Sequence, residues 1–375
     1  MALQDAVTGR TERTAKRGMP FDAIEWVCHS PSPYNDYLFG TLAREFGDGF
    51  RVHYLHAASG THPWRTEFGK GYRWRVYGRG LVDGELLRSV LGNARALLVT
   101  GAWQDATSEL CMVGLARAGR PYLIWNDAPD LRKRRTWWKA AVRGTFLRFA
   151  FRHARAVMGT GPMALEAFQA MGCPAGKLVN FPYFIDVDGF PFRPARRGAV
   201  LELGTVARLS EEKGLDVGLE ALARFRDREK RAFRYRIVGE GPAKGALQGL
   251  VHRLGLGESV EFAGWLEPDE LPEFYRSVQA LLHPARFEPY GIAVLEAMAS
   301  GCVVVATRTT AAARDRLVDG ESGFVAECSA EGLAAALGRL AAMTEPERMR
   351  MVRGARSAAE AWRGERAVEI LRGLW

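Results

Sequence analysis

Short apolar runs alternate with stretches of helical periodicity along most of the chain. In the first half, six apolar runs are typical of strands, at 23–28, 50–55, 97–100, 121–125, 156–159 and 178–181. Residues 37–46 have helical spacing, and Asn35 or Asp36 before them is a suitable N-cap. Strands that alternate with helices predict parallel sheets built from βαβ units.

A second alternating series begins after residues 190–197, whose two prolines and three arginines are typical of a linker. Its predicted strands lie at 200–206, 235–238, 260–262, 280–283, 303–306 and 324–325. Its predicted helices lie at 215–226, 243–254, 271–277, 292–299, 330–343 and 346–374. The pattern predicts an α/β protein with two Rossmann-like, doubly wound domains facing a central cleft. In such sheets ligands bind beyond the carboxyl ends of the strands, so the loops there should carry the chemistry.

The length of 375 residues exceeds what one hydrophobic core usually serves, which indicates two domains. We predict a flexible basic tail at 1–20, an N-terminal domain at 21–192 and a C-terminal domain at 193–357. The last helix, about 358–375, is expected to pack back on the N-terminal domain. The tail lacks the apolar core of a signal peptide, and no apolar run approaches the ~20 residues of a membrane span. We therefore expect a cytoplasmic protein.

Positive charge is concentrated in one segment. The formal net charge is +9, and residues 131–155 contain nine Lys or Arg residues and no Asp or Glu. The same segment holds the aromatic residues Trp137, Trp138, Phe146, Phe149 and Phe151. This mixture suits peripheral binding to an anionic membrane surface, although a helix with core aromatics and a solvated basic face fits it too. No recognition motif for nucleic acid accompanies the charge, and the five scattered cysteines disfavour a zinc site.

Two cations follow the first predicted strand of the second series. Arg208 and Lys213 lie in the loop before the next helix, where both could reach one anion. The planar donor fork of Arg and the point charge of Lys suit a diphosphate. Taken alone, the segment is better interpreted as a loop of solvated charges.

Gly239 and Gly241 end the next strand and precede a helix. Glycines at such a place permit close approach of a ligand, and they also suit a tight strand-to-helix turn. With the later Gly245 they do not have the G-x-G-x-x-G spacing, which argues against a nicotinamide dinucleotide site.

Residues 283–301 have the richest chemistry in the chain. They predict a strand end, a loop and a helix, with free N–H groups near Gly291 and Ile292 that would form an anion site. Glu288 lies in the loop, and Glu296 lies on an otherwise apolar helix face. Two carboxylates that flank a phosphate site suit hydroxyl groups, one set from a sugar and one from a ribose. Glu296 alone could also be a partly exposed helix residue.

Several motifs in this order resemble the retaining family 4 glycosyltransferases of GT-B fold. The matching pieces are Arg208 with Lys213-Gly214, then Val238-Gly239-Glu240-Gly241-Pro242, then Phe262-Ala263-Gly264, then Glu288 and Glu296 with Ala297-Met298-Ala299-Ser300-Gly301, and finally Gly320-Glu321-Ser322-Gly323-Phe324. The resemblance is strong over about residues 200–330 and covers the first half only in layout. It implies that the N-terminal domain binds the acceptor and the C-terminal domain the nucleotide sugar.

The resemblance also implies individual roles in a donor site. Arg208 and Lys213 would hold the diphosphate, Glu288 the hydroxyls of the transferred sugar, and Glu296 the ribose. Further donor contacts would come from Gly239, Gly241, Gly264, Tyr290, Gly291, Ile292 and Leu295. The implied reaction moves a hexose from a UDP- or GDP-linked donor to a glycan or glycolipid acceptor in cell-surface polysaccharide or glycolipid biosynthesis. It proceeds with retention of configuration and requires neither metal nor cofactor.

The first half departs from the family at two places. Where the family usually has a Gly-Gly loop after the first strand, this chain has His29-Ser30-Pro31-Ser32-Pro33-Tyr34-Asn35-Asp36. Many members have a His where Asn126 stands here, and Asp127 is the ionisable group beside it. We expect Asn126 and Asp127 to belong to the catalytic site, although Asp127 could also be a helix cap. A catalytically silent relative that binds nucleotide sugar as a scaffold is the alternative function, and another GT-B enzyme such as an epimerase or phosphorylase is a third.

Overall fold

The computed structural model describes residues 21–58, 69–77, 81–101, 105–132 and 136–375. The predicted basic tail at 1–20 lies outside the described residues, and so do residues 133–135 of the basic segment. Within the described parts, no helix is long and apolar enough to cross a membrane.

The first half of the chain forms a parallel seven-stranded sheet in the order β3-β2-β1-β4-β5-β6-β7. Its strands are β1 Ala23–Cys28, β2 Phe50–Tyr54, β3 Arg73–Val76, β4 Ala96–Thr100, β5 Tyr122–Asn126, β6 Ala156–Gly159 and β7 Leu178–Asn180. Its helices are α1 Pro33–Phe46, α2 Gly84–Gly92, α3 Ala106–Arg117, α4 Trp137–His153 and α5 Pro162–Ala170. Buried apolar side chains pack on both faces of this sheet.

The second half forms a parallel six-stranded sheet in the order β10-β9-β8-β11-β12-β13. Its strands are β8 Leu201–Val206, β9 Phe233–Val238, β10 Val260–Gly264, β11 Ala280–His283, β12 Val303–Thr307 and β13 Phe324–Ala326. The helices are α6 Leu215–Glu229, α7 Lys244–Arg253, α8 Leu271–Ser277, α9 Ile292–Ser300, α10 Ala311–Arg316, α11 Ala330–Ala342 and α12 Glu345–Glu360.

The last helix returns to the first domain. Helix α13, Gly364–Arg372, packs on α1, and its Val368 and Leu371 join the apolar cluster that contains Leu38 and Phe39. Burial of each of these two large side chains contributes roughly 1.5–3 kcal/mol to holding the chain end in place.

The strand order reverses direction between β1 and β4 in one sheet and between β8 and β11 in the other. At such a switch point the loops that follow the two strands diverge and leave a crevice for a ligand. In the second sheet these two loops contain Arg208 and Glu288, which lie 80 positions apart in the sequence. The fold therefore brings the two predicted donor-binding loops together.

The structure corrects several sequence predictions. Helix α1 begins at Pro33 rather than 37, because the Ser32 side chain caps it by accepting a hydrogen bond from Asn35 N (3.3 Å); neither Asn35 nor Asp36 is the cap. The predicted helix at 346–374 is two helices that are interrupted around Trp362. The sequence prediction does not include strand β3, which has only four residues; they alternate polar and apolar, but all four side chains are exposed.

Candidate active site in the interdomain cleft

A cleft of about 860 Å³ separates the two domains at the carboxyl ends of their strands. The first domain contributes Pro33, Tyr34, Asp127, Asp130, Arg132 and Tyr183. The second domain contributes, among others, Arg208, Lys213, Gly239, Trp265, His283, Glu288, Tyr290, Gly291, Ile292 and Glu296. Most of the residues predicted from sequence to bind the donor therefore line one cavity.

Two donors hold the Glu288 carboxylate in the cleft. Its side chain is buried, and its Oε2 atom accepts hydrogen bonds from Lys213 Nζ (2.6 Å) and from His283 Nε2 (3.2 Å). Burial opposes ionisation, but the Lys213 ammonium and the His283 imidazole outweigh it and lower the pKa of Glu288 to about 2. Glu288 is therefore ionised at neutral pH and acts as an acceptor for hydroxyl or ammonium donors.

Gly214 allows the Lys213 loop to approach the Glu288 loop. Its φ is +60°, in the left-handed region, and a Cβ atom there would lie 2.2 Å from the carbonyl oxygen of Pro284. The backbone N–H of Arg286 also donates to the Glu212 carbonyl at 2.9 Å. The short contact between the two loops depends on a residue without a side chain.

Arg208 occupies the cleft wall beside this pair. Its Nη2 atom donates to Glu212 Oε1 at 2.7 Å, and Ser210 Oγ donates to the same oxygen at 2.6 Å. Partial burial of Glu212 is outweighed by these two donors, which lower its pKa to about 2. Because Arg208 remains over a third exposed, its guanidinium can turn from Glu212 to an anion that enters the cleft.

The N-terminus of α9 opens into the cleft. Gly291 precedes the helix with a φ of +98°, and no side chain caps this end. A Cβ atom at Gly291 would lie 2.9 Å from Thr310 Cγ2 and 3.0 Å from Glu288 Cγ. Uncapped first-turn N–H groups and the helix dipole together form a site for an anion such as a phosphate.

Glu296 lies one turn further along α9, buried among apolar side chains and reaching the cleft wall. Tyr275 on α8 donates a hydrogen bond to its Oε2 atom at 2.7 Å. Burial raises the pKa of Glu296 to about 7, which the Tyr275 hydrogen bond only partly offsets. A ligand that supplies hydroxyl donors would stabilise the ionised form of this carboxylate.

Three of the predicted donor residues do not line the cleft. Leu295 packs in the apolar core, Gly241 is in close contact with the Leu209 backbone, and the Gly264 carbonyl accepts a hydrogen bond from Gly239 N (2.7 Å). Gly239 does reach the cavity, and a Cβ atom there would lie 2.0 Å from the Ala207 carbonyl oxygen. These glycines fix the turn after β9 against the loop that holds Arg208.

On the opposite wall, Asn126 and Asp127 behave differently. Asn126 donates from Nδ2 to the Gly101 carbonyl at 2.5 Å and is not among the cleft-lining residues. Asp127 faces the cavity and accepts hydrogen bonds from Thr160 Oγ1 (3.0 Å) and Tyr183 OH (3.1 Å). Burial raises the pKa of Asp127, with a further contribution from the negative charge of Glu288.

Sequence reasoning missed partners that lie far away in the chain. Tyr275 has no polar pattern that would mark it, because its ring packs in the core and only its hydroxyl meets Glu296. Asp315 accepts hydrogen bonds from Tyr290 OH (3.3 Å) and from Asn180 Nδ2 of the first domain (2.9 Å). His283 could have been suspected, since it ends a buried strand just before the Glu288 loop.

Residues 191–358 match the family model of glycosyl transferases group 1. This part of the chain is therefore similar to a group 1 glycosyl transferase domain. The domain contains the whole second sheet and every residue described above for the Glu288 side of the cleft. The match rests on the half of the chain in which the sequence motifs are densest.

Solved structures that resemble the chain share the GT-B arrangement of two facing Rossmann-like domains, which confirms the predicted fold. HepE of Anabaena superposes with a TM-score of 0.71 at 18% identity, over 93% of this chain and 98% of that chain. Sucrose-phosphate synthase of Thermosynechococcus elongatus gives a TM-score of 0.69 at 18% identity, over 93% of this chain and 97% of that chain. At these identities the likeness concerns the fold.

Several curated proteins to which the chain is similar are named glycosyltransferases. WcaL of Escherichia coli, named for colanic acid biosynthesis, is 30% identical over 56% of this chain and 53% of that protein. D-inositol 3-phosphate glycosyltransferase of Acidothermus cellulolyticus is 34% identical over 45% of this chain and 39% of that protein. A GDP-mannose-dependent phosphatidylinositol monomannoside mannosyltransferase of Mycolicibacterium smegmatis is 29% identical over 72% and 76%. The matched part of the chain spans about half the length of the first curated relatives.

Proposed function

We propose that the protein is a retaining glycosyltransferase of the family 4 type. It moves a hexose from a nucleotide diphosphate sugar to a glycan or glycolipid in cell-surface polysaccharide or glycolipid biosynthesis. The observation that carries this proposal is the ionised Glu288, bound to Lys213 and placed beside the uncapped N-terminus of α9 in the cleft.

The proposed donor lies in the cleft in the following orientation. Its diphosphate lies at the N-terminus of α9 between Arg208 and Lys213, and the hydroxyls of its sugar donate to Glu288. The ribose hydroxyls donate to Glu296, which lies further along the same helix. This arrangement needs no metal or cofactor for charge balance, because the helix end and the two cations meet the negative charge of the diphosphate.

The same groups account for catalysis. As the bond between sugar and diphosphate breaks, negative charge grows on the diphosphate, and the fixed cations of Arg208 and Lys213 stabilise it. Glu288 holds the sugar in place and, as a nearby anion, favours the positive charge that develops on its ring. Asp127, on the acceptor side of the cleft, accepts a hydrogen bond from the incoming hydroxyl.

The names of relatives support a nucleotide-sugar donor and leave both bases open. HepE was solved in complex with UDP and with UDP-glucose. The mycobacterial relatives are named GDP-mannose-dependent mannosyltransferases that act on phosphatidylinositol mannosides. By analogy we infer a UDP- or GDP-linked hexose as donor and a membrane or cell-surface glycan as acceptor. The basic segment 131–155 supports peripheral binding to the anionic inner face of the plasma membrane.

One observation favours the alternative of a silent, nucleotide-sugar-binding scaffold. The side chain of Asn126 is held by the Gly101 carbonyl and does not reach the cleft, so this position offers no polar group to the donor sugar. The Lys213–Glu288 pair and the open helix end argue more strongly for turnover, because a scaffold has no need for a charged site at the scissile bond.

The two functions separate in one experiment. The purified protein is incubated with a panel of UDP- and GDP-sugars, and donor hydrolysis and the shift in melting temperature are measured for each. The transferase proposal expects hydrolysis of at least one donor and its loss in Glu288→Gln. Thermal stabilisation without hydrolysis or transfer, even with membrane extract as acceptor, would establish the scaffold instead.

A further inference from the structure

The first two turns of α4 project from the protein surface. Trp137 is 82% exposed, Trp138 52% and Val142 66%, whereas the buried residues of the helix, Leu147, Ala150 and Phe151, all lie in its second half. Large apolar side chains on a soluble surface are ordinarily scattered singly, so two exposed tryptophans and a valine on adjacent turns call for an apolar partner.

Helix geometry shows which way these residues point. At about 100° per residue, Trp137, Trp138 and Val142 fall within an arc of roughly 140°. The buried Leu147, Ala150 and Phe151 fall on the opposite side of the helix. The apolar arc therefore faces away from the protein body, and the chain's own core cannot cover it from that side.

Cations surround this apolar tip. Arg148 and Arg152 are exposed on the outward side of the following turns, and Lys139 Nζ lies 5.3 Å from the centre of the Trp138 ring. No Asp or Glu occurs between residues 131 and 155. Exposed Trp and Val side chains flanked by Lys and Arg are complementary to the interface of an anionic bilayer. There, indole rings lie at headgroup level and cations bind lipid phosphates.

The tip lies close to the cleft. Asp130 and Arg132 line the cavity, and Arg132 stacks on Phe287 with its guanidinium 5.3 Å from the ring centre. Trp137 follows Arg132 by five positions, so their Cα atoms lie at most about 18 Å apart. An amphipathic element inserts about 5–10 Å into the headgroup region, which would hold the cleft mouth at the membrane surface.

We propose that the first two turns of α4 insert into the interface of an anionic membrane, and that the acceptor is consequently a lipid-linked sugar rather than a free glycan. The insertion stands on the exposed residues alone, whereas the acceptor class rests on the proposed transferase function. Electrostatic attraction of the basic segment brings the protein to the surface, and the tryptophans supply the apolar contribution that keeps it there.

Vesicle flotation of the full chain tests the insertion. Vesicles of phosphatidylcholine alone are compared with vesicles that also contain phosphatidylglycerol, for wild type, Trp137→Ser/Trp138→Ser, and Arg148→Gln/Arg152→Gln. Trp74→Ser is the matched control, since Trp74 is 48% exposed but lies on the edge strand β3. We expect wild type and the control to bind the anionic vesicles, and the double tryptophan variant to bind about tenfold or more weakly.

Two outcomes would overturn the insertion. Equal flotation of wild type and the double tryptophan variant would show that charge alone accounts for binding. A wild-type dimer that becomes monomeric in this variant, with no vesicle binding by either, would assign the tip to self-association. The donor-induced thermal shift of the same variants is expected to match wild type, so that a failed membrane test leaves the transferase proposal intact.

The acceptor class has its own readout. Radiolabelled donor is supplied with membrane extract or with lipid-free oligosaccharides, and label is counted in the organic-solvent and aqueous phases. We expect label in the organic phase, reduced in the double tryptophan variant while donor hydrolysis is unchanged. Label transferred only to lipid-free oligosaccharides, and equally by both proteins, would contradict a lipid-linked acceptor.

Discussion

The Lys213 ammonium and the Glu288 carboxylate lie 2.6 Å apart in the cleft, although 75 positions separate them in the sequence. The pair is largely desolvated, since the two side chains are 17% and 10% exposed. Breaking such a pair by removing one partner leaves a buried charge uncompensated, which makes both residues sensitive to substitution. Their proximity places a cation and an anion on adjacent loops, where the proposed transferase requires one for the leaving diphosphate and the other for the sugar.

Replacement of either partner should abolish most donor turnover. For Lys213→Met and for Glu288→Gln we expect donor hydrolysis to fall by about 10²–10³, the loss typical of one electrostatic catalytic group. Because the two groups act on one another, the double variant should lose less than the sum of the single losses in free energy. Steady-state rates of all four proteins measure this coupling. Full additivity would show that the pair does not act as a unit.

Glu296 should make stability depend on pH. Burial raises its pKa from the ordinary 4.5 to about 7, so the folded state binds more protons than the unfolded state between these values. Stability contributed by this group therefore falls as the pH rises from about 4.5 to 7. Urea unfolding of wild type and Glu296→Gln at several pH values measures the difference. We expect the unfolding free energy of wild type to fall relative to that of the variant as the pH rises across this window. A difference in unfolding free energy that is independent of pH would refute the raised pKa of Glu296.

Nucleotide binding should show the opposite trend at the same residue. If the ribose hydroxyls donate to Glu296, the ligand stabilises its ionised form and lowers its pKa. UDP or GDP should then bind wild type more tightly as the pH rises through about 7. Calorimetric titrations at three pH values test this, with Glu296→Gln expected to bind weakly and without that pH dependence. An identical pH profile for both proteins would remove Glu296 from the ribose site.

Gly214 should tolerate no side chain. For Gly214→Ala the new Cβ atom would lie 2.2 Å from the Pro284 carbonyl oxygen at a φ of +60°, so we expect a loss of roughly 1–3 kcal/mol in unfolding free energy. Displacement of Lys213 should also weaken donor binding. Gly245→Ala in α7 is the matched control, because its Cβ atom would meet nothing within 4 Å. A helical Gly→Ala change there should be neutral or stabilising by about 0.5–1 kcal/mol.

The sequence predicts the proposed donor-binding loops because their chemistry is local. Polar and glycine residues between buried strands and helices mark Arg208, Gly239 and Glu288, and the βαβ pattern places all three loops at one edge of a sheet. Strand order decides which loops become neighbours. The adjacency of β8 and β11 cannot be inferred from the spacing of motifs along the sequence. The Lys213–Glu288 pair is a consequence of that order.

Other parts of the site escape prediction for different physical reasons. Tyr275 reaches Glu296 from a helix 21 positions earlier through a single hydroxyl group on an otherwise buried ring. The orientation of Asn126 depends on the Gly101 carbonyl of the neighbouring strand end, which no sequence pattern reports. Strand β3 lies at the sheet edge with all four side chains exposed, and its polar-apolar alternation extends over only four residues, too few to distinguish a strand from a loop.

The link between the domains at Asn180 and Asp315 should affect donor binding. Asp315 accepts hydrogen bonds from Asn180 Nδ2 of the first domain (2.9 Å) and from Tyr290 OH (3.3 Å), so it couples the cleft-lining tyrosine to the first domain. For Asn180→Ala we expect the KM for donor to rise about tenfold with little change in melting temperature, since a hydrogen bond to a charged group is lost.

A second interdomain contact provides the control for that experiment. Arg314 binds Glu166 on α5 at 2.6 Å, but both side chains are partly or largely exposed, at 35% and 59%. Exposed ion pairs contribute little because solvent screens them, and this one does not touch a cleft-lining residue. Arg314→Ala should therefore leave the donor KM unchanged. If Arg314→Ala and Asn180→Ala raise the KM equally, general loosening of the domains, rather than the Asp315–Tyr290 contact, controls donor binding.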